Sequence, residues 1–247
     1  MLRDRLEHVR QRIQHACQRS GRQPSAVTLI GVTKGVGPDA IREAAALGLT
    51  DLGENRVQEA LAKRAGRGWR VQGEGEVRWH MVGHLQRNKV RQAVELFDVI
   101  HSVNSAELVE ALEQQAAKER VGSRVKGQGK SGQMDVFVQV NVSGETSKSG
   151  CNPAEALVLC QTLTEQPYLN LVGLMTIPPW AENPEKARPY FRQLRELRDA
   201  IVPTLHPSPF TLHLSMGMSQ DFEVAIEEGA DFVRIGTALF GERTQAP

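Results

Sequence analysis

The chain has 247 residues, 40% hydrophobic, 24% charged and 5% aromatic, with 30 basic and 29 acidic residues for a net charge of +1. That length can bury one large α/β core, while the near-neutral balance supplies no field to draw nucleic acid or an anionic membrane. No run of about 18 apolar residues reads as a membrane span, and the charged opening MLRDRLEHVRQRI lacks the apolar stretch of a secretion signal.

Leu2, Leu6, Val9, Ile13 and Cys17 recur at helical spacing and predict an amphipathic helix over 2–19. The nearly continuous apolar run AVTLIGVTK, 26–34, reads as a parallel strand buried on both faces. GVGPDA breaks it, and IREAAALGL predicts a helix ending near Gly48. The alternation then repeats. Strands are expected at 50–52, 77–82, 97–102, 136–142, 170–176, 212–215 and 232–235. Helices are expected at 56–63, 86–95, 105–118, 153–164, 184–201 and 222–228, with a short apolar turn at 238–240.

Eight β units alternating with helices, after one extra N-terminal helix, predict a (β/α)8 TIM barrel forming a single domain over 1–247. The alternative is an open doubly wound sheet, but no GxGxxG follows the first strand. The Gly-rich stretch 65–76 and the Gly/Lys/Ser stretch 121–133 read as irregular, the second as a basic, solvated loop. Cys17, Cys151 and Cys160 have neither metal-ligand nor CxxC spacing. That argues against a disulfide framework or a metal site and makes the reducing cytoplasm the expected compartment.

Barrels bind ligands at the C-terminal ends of their strands. The first strand delivers Lys34 there, either a surface lysine or an amine able to form a Schiff base with an aldehyde. Asn55, after the second strand, is a helix cap or a ligand donor. His80 is a core histidine or a ligand contact. Ser215-Met216-Gly217-Met218-Ser219 and Arg234-Ile235-Gly236-Thr237 follow the last two strands. Their small and hydroxylic residues offer N–H and O–H donors for a phosphate, or simply make two tight turns. In a closed barrel the first and last strands are neighbours, so Lys34 is expected beside Arg234. An amine next to a phosphate site suits pyridoxal 5′-phosphate. A class I aldolase-like barrel acting on a phosphorylated sugar is also consistent with the lysine.

The segments LIGVTK, LGENRVQEALAK, WHMVGHLQRNK, IHSVNS, VQVNVSGETSKSG, LVGLMTIPP and LHLSMGMSQDFEVAIEEGADFVRIGTALFGER together resemble the YggS/PROSC family, the pyridoxal phosphate homeostasis proteins. The resemblance implies a fold type III barrel similar to the N-terminal domain of alanine racemase. It implies pyridoxal 5′-phosphate held covalently as an aldimine on Lys34, with Asn55 against the cofactor, His80 lining the pocket and Met175 at its edge. Ser219, Gly236 and Thr237 would hold the phosphate, with Ser215 nearby, and Arg234 would face the pyridine nitrogen. The chain departs from the family pattern at His84, where proline is usual, and at Gly35-Val36, where many members carry a second lysine or proline.

Arginine can only donate to the ring nitrogen, which disfavours a fully developed carbanion. The racemase's second base, a tyrosine, has no counterpart expected here, because Tyr168 precedes a strand and Tyr190 lies within a helix. The expected function is therefore a carrier or buffer of the cofactor with no catalytic residues. It would be a cytoplasmic monomer that transiently contacts apo-enzymes, with an amino-acid racemase-like enzyme as the alternative.

Overall fold

The computed structural model describes residues 1–64, 77–122, 132–205 and 211–241. The Gly-rich stretch 65–76 and the centre of the basic stretch, 123–131, lie outside the described residues. A helix α1 (Leu2–Arg19) precedes eight strands: β1 (Thr28–Val32), β2 (Asp51–Glu54), β3 (Arg78–Met81), β4 (Val99–Val103), β5 (Met134–Gln139), β6 (Leu169–Met175), β7 (His213–Met218) and β8 (Phe232–Ile235). Between and after them lie α2 (Pro38–Ala46), α3 (Val57–Arg64), α4 (Val90–Leu96), α5 (Ala106–Gly122), α6 (Pro153–Thr164), α7 (Arg188–Leu205), α8 (Phe222–Glu227) and α9 (Thr237–Phe240). The strands form a closed barrel in sequence order, and every pairing is parallel, including β1 with β8. The expected barrel with its extra helix is what the chain forms, and the open sheet is excluded.

Strand periodicity divides the core in two. Trp79 and Met81 of β3 join the large apolar layer between barrel and helices. His80, between them, turns inward. Rings from β3, β4, β5 and β8 meet one another, as only an enclosed interior allows. Phe137 stacks on His101 with centroids 4.3 Å apart, and Phe232 meets Phe137 edge-on at 5.3 Å. Ile30, Val99 and Met175 complete this inner cluster. The extra helix α1 packs on α8 and α9, where Arg12 holds Glu223 at 2.7 Å and lies over the Phe222 ring. It thereby braces the two helices that follow β7 and β8.

Several element bounds differ from expectation for local reasons. β1 ends at Val32, because Thr33 and Lys34 enter a turn closed by Val36 N–H donating to the Thr33 carbonyl at 2.9 Å. α2 begins at Pro38, whose ring suits a first helical turn. β5 starts at Met134 and stops at Gln139; beyond it only Val140 makes an isolated bridge, to Cys151. α7 runs past the expected end at Ile201 and carries Pro203 in its last turn. The Thr204 hydroxyl donates to the Ile201 carbonyl there at 2.7 Å. Residues 184–187 are a separate 3-10 turn, and the apolar turn at 238–240 is part of helix α9. All three cysteines are free and buried.

Candidate functional site at the C-terminal mouth of the barrel

Lys34 sits half-buried just past β1, and among the described residues its amine has no hydrogen-bond or ionic partner. The residues on either side of it are held by β2 and α3. Lys63 of α3 donates to the Thr33 carbonyl at 2.6 Å, and Gly35 N–H donates to Glu59 Oε2 at 3.2 Å. Gly35 has φ +70°, a left-handed conformation that glycine adopts without steric cost. The Thr33 hydroxyl also donates to Glu54 Oε1, which accepts from Lys63 Nζ at 2.6 Å as well. Glu54 is fully buried, and among the described residues its second oxygen has no hydrogen-bond partner. Burial pushes its carboxyl up, outweighing the opposite pull of Lys63 and Thr33.

Inside the barrel, a chain of polar groups runs from the start of β2 to β8. Asp51 Oδ1 lies 2.9 Å from His80 Nε2, His80 Nδ1 lies 2.9 Å from His101 Nε2, and His101 Nδ1 lies 2.9 Å from Ser215 Oγ. Arg234 Nη1 donates to Ser215 Oγ at 2.7 Å, and its Nη2 donates to the Thr176 carbonyl at 2.8 Å. His80, His101 and Ser215 are fully buried and Arg234 nearly so. Burial pushes Arg234 down to about 10, so it remains a cation at neutral pH. Burial likewise lowers both histidines, and the charge of Arg234 lowers His101 further. Burial pushes the Asp51 carboxyl up, but the His80 hydrogen bond and Arg78 prevail and hold it below the ordinary carboxylate value.

The loops after β7 and β8 close on each other. Ser219 Oγ accepts from the backbone N–H groups of Gly236 at 3.2 Å and Ala238 at 3.3 Å. The exposed Thr237 lies between those two amides. A Cβ on Gly236 would meet only ordinary contacts at 3.5 Å or more. The protein's own packing does not demand glycine there.

The barrel thus brings Lys34, Asn55, Ser219, Gly236 and Thr237 to the strands' C-terminal ends, with Arg234 beneath. Four expectations change in detail. Asn55 does not cap α3, because Arg56 accepts the first helical hydrogen bond, from Ala60 N–H. It is half-buried, and its carbonyl packs on Gly83, where any Cβ would sit 2.3 Å away. Arg234 pairs in register with Ile30, four residues before Lys34, so it lies below the lysine rather than level with it. His80 has both ring nitrogens committed, and Ser215 spends its hydroxyl on His101 and Arg234; neither presents a free polar atom to a ligand. Met175 is wholly enclosed by the inner cluster rather than at an edge. Sequence reasoning missed Asp51, His101, Glu54 and Lys63. For Asp51, Glu54 and His101 the available signal was a polar residue inside a strand that a parallel barrel should fill with apolar ones; Lys63, in helix α3, carried no such signal. Tyr168 stands at the N-terminal end of β6 and Tyr190 in α7, so neither of the chain's two tyrosines reaches the mouth.

Among the described residues no group of three or more His, Cys, Asp or Glu could hold a metal ion, and no helix is long and apolar enough to cross a membrane. Fold and site together define a parallel α/β barrel with an amine at one strand end, a buried arginine below it, and the loops after β7 and β8 tied together through Ser219 and the Gly236 and Ala238 amides. The family model for the alanine racemase N-terminal domain matches residues 5–244. The pyridoxal phosphate homeostasis protein of Aquifex aeolicus is 44% identical over 97% of both chains. That of Pseudomonas aeruginosa is 42% identical over 97% of this chain and 95% of its own. The chain belongs to the alanine racemase N-terminal domain family and, within it, to the pyridoxal phosphate homeostasis proteins.

Among solved structures, PipY of Synechococcus elongatus with PLP bound superposes with a TM-score of 0.78 at 35% identity, over 98% of this chain and all of PipY. A protein of unknown function from Bifidobacterium adolescentis gives 0.85 at 34%, covering 97% and 94%. The alanine racemase of Corynebacterium glutamicum shares the fold at 16% identity and a TM-score of 0.59, the match spanning 98% of this chain and 62% of the racemase.

Proposed function

We propose that this chain binds pyridoxal 5′-phosphate and maintains its intracellular supply as a non-catalytic, cytoplasmic carrier. It works as a monomer, because the barrel closes its core without a partner, and it passes the cofactor on through transient contact with apo-enzymes. The observation that carries this reading is the meeting of three complementary groups at one mouth. They are a lysine amine with no partner among the described residues, a buried cation that donates to Ser215 and Thr176, and the Ser219 hydroxyl gathered with the Gly236 and Ala238 amides beside the exposed Thr237. The names of the relatives and the PLP-bound PipY structure point the same way.

When bound, the cofactor supplies an electrophilic aldehyde carbon and an acidic phosphate tail. Lys34 Nζ is the point of covalent attachment, and the bonds to Thr33 and Gly35 fix the peptide from which it projects. Ser219, Gly236 and Thr237 would hold the phosphate. Arg234 would donate to the ring nitrogen and give it no proton. Asn55 would lie against the ring, while Met175, His80 and Ser215 would act from behind, shaping the floor and holding Arg234. Neither tyrosine is placed to act as a second base, which sets this site apart from a racemase. Titration with pyridoxal 5′-phosphate should produce a visible absorption band that Lys34→Ala abolishes. A band of equal intensity in Lys34→Ala would refute the assignment. Rapid exchange of the alanine Cα proton in deuterated water would refute the non-catalytic role.

A further inference from the structure

The interior chain of polar groups has ends of fixed character. Arg234 can only donate a hydrogen bond, and an ionised Asp51 can only accept one. Between them every proton position follows. Asp51 requires a proton on His80 Nε2, which leaves His80 Nδ1 as an acceptor. His101 must then carry its proton on Nε2, directed at His80, and its Nδ1 accepts from the Ser215 hydroxyl. Ser215 Oγ is left free to accept from Arg234. The opposite order sets an unprotonated His80 nitrogen against the carboxylate. It also leaves the buried Ser215 hydroxyl proton without an acceptor, which is costly. Only one arrangement satisfies every member, and in it both histidines are neutral.

The surroundings keep the two histidines of this chain dry, while Asp51 at its start is partly exposed. Phe137 stacks on His101 at 4.3 Å, and Phe232 lies edge-on to His101 at 6.1 Å and tilted to His80 at 6.4 Å. In such an enclosure aligned hydrogen bonds polarise one another. Both hydrogen-bond partners of Arg234, the Ser215 hydroxyl and the Thr176 carbonyl, are uncharged, so this polarisation adds to the more distant support of the Asp221 carboxylate.

We propose that Asp51, His80 and His101 are positioning residues for Arg234, forming a one-way hydrogen-bond chain that runs through the barrel interior and sets the guanidinium plane. The chain directs negative polarisation onto Ser215 Oγ and fixes one edge of the guanidinium. It also occupies the acceptor nitrogen of both histidines, so neither can take a proton from a bound amine. The identity of the ligand that Arg234 meets rests on the cofactor reading above; the order of the chain does not.

Two measurements test this. In the wild-type protein labelled with 15N-histidine, with no cofactor added, NMR should show His80 and His101 neutral and protonated on Nε2 at neutral pH. A proton on Nδ1 of either ring, or a charged ring, overturns the proposal whether or not the cofactor binds. With pyridoxal 5′-phosphate added, Asp51→Leu should weaken binding about tenfold, the loss expected when a hydrogen-bonded charge is removed, and should shift the visible band. Asp51→Asn should restore both, because its carboxamide oxygen still accepts from His80. Wild-type affinity and band position in folded Asp51→Leu would overturn the proposal. Absence of any band in the wild type would count against the cofactor reading and leave the NMR result to decide the chain.

Discussion

Replacing Lys63 by methionine would strand the Glu54 carboxylate. Lys63 Nζ donates at 2.6 Å to both Glu54 Oε1 and the Thr33 carbonyl, and its side chain is 11% exposed against 0% for Glu54. Methionine keeps the apolar stem and removes the charge. Glu54 would retain the Thr33 hydroxyl as a donor, while its second oxygen has no hydrogen-bond partner among the described residues. Removing one member of a buried ion pair costs about 3–5 kcal/mol. Proton uptake by Glu54 limits the loss, so we expect about 3 kcal/mol near neutral to mildly alkaline pH, a large share of a typical domain's ~5–15 kcal/mol. The pH dependence follows from the carboxyl. Burial already holds Glu54 above its ordinary value, and loss of Lys63 moves it higher. A carboxyl raised in the folded state binds more protons there than in the unfolded chain. Stability is therefore lost as pH rises from the unfolded value through the folded one, and is regained on acidification. Urea unfolding of wild type and Lys63→Met at about pH 8 and about pH 5, analysed by linear extrapolation, should show a deficit that shrinks toward the lower pH. Adding Glu54→Gln to Lys63→Met should recover much of it. A deficit under about 1 kcal/mol at the higher pH, or one that grows on acidification, would refute the reasoning.

Gly83→Ala places a methyl 2.3 Å from the Asn55 carbonyl oxygen and 2.8 Å from its Cα. Backbone cannot yield there cheaply, and the urea midpoint should fall by the equivalent of about 1–3 kcal/mol; an unchanged midpoint would show that the approach is looser. Thr237→Ala should weaken binding of pyridoxal 5′-phosphate about tenfold by calorimetry, while unphosphorylated pyridoxal loses little. Equal losses for both would remove Thr237 from the phosphate.

Strand order, helix number and the closed barrel were legible because parallel βα units leave strong apolar runs separated by turn signals. The run 26–34 misled at its end. Its apolar character continues to Thr33, but the turn at Gly35 is set by φ +70° and by Glu59, a partner 24 residues away. β5 misled in the same sense, since Val140 and Val142 are buried outside the strand, beside Asn141, which donates to the Glu145 carbonyl at 2.9 Å. Lys34, Arg234 and the Ser219–Gly236 pairing were reachable because each sits at a strand end. The path from Asp51 to Arg234 was not. Its members come from β2, β3, β4, β7 and β8, and pairing them requires strand register and the inward turn of each residue. Asp51 and His101 each look like an isolated polar residue in a strand until the barrel closes.

The central claim is that Lys34 is the residue to which the cofactor attaches. Borohydride reduction of the protein mixed with pyridoxal 5′-phosphate, followed by peptide mass mapping, tests it directly. The account predicts one dominant pyridoxyl mark, on the peptide carrying Lys34, while Lys63 and Lys148 stay unmodified. A dominant mark on any other lysine, with Lys34 left free, would contradict it.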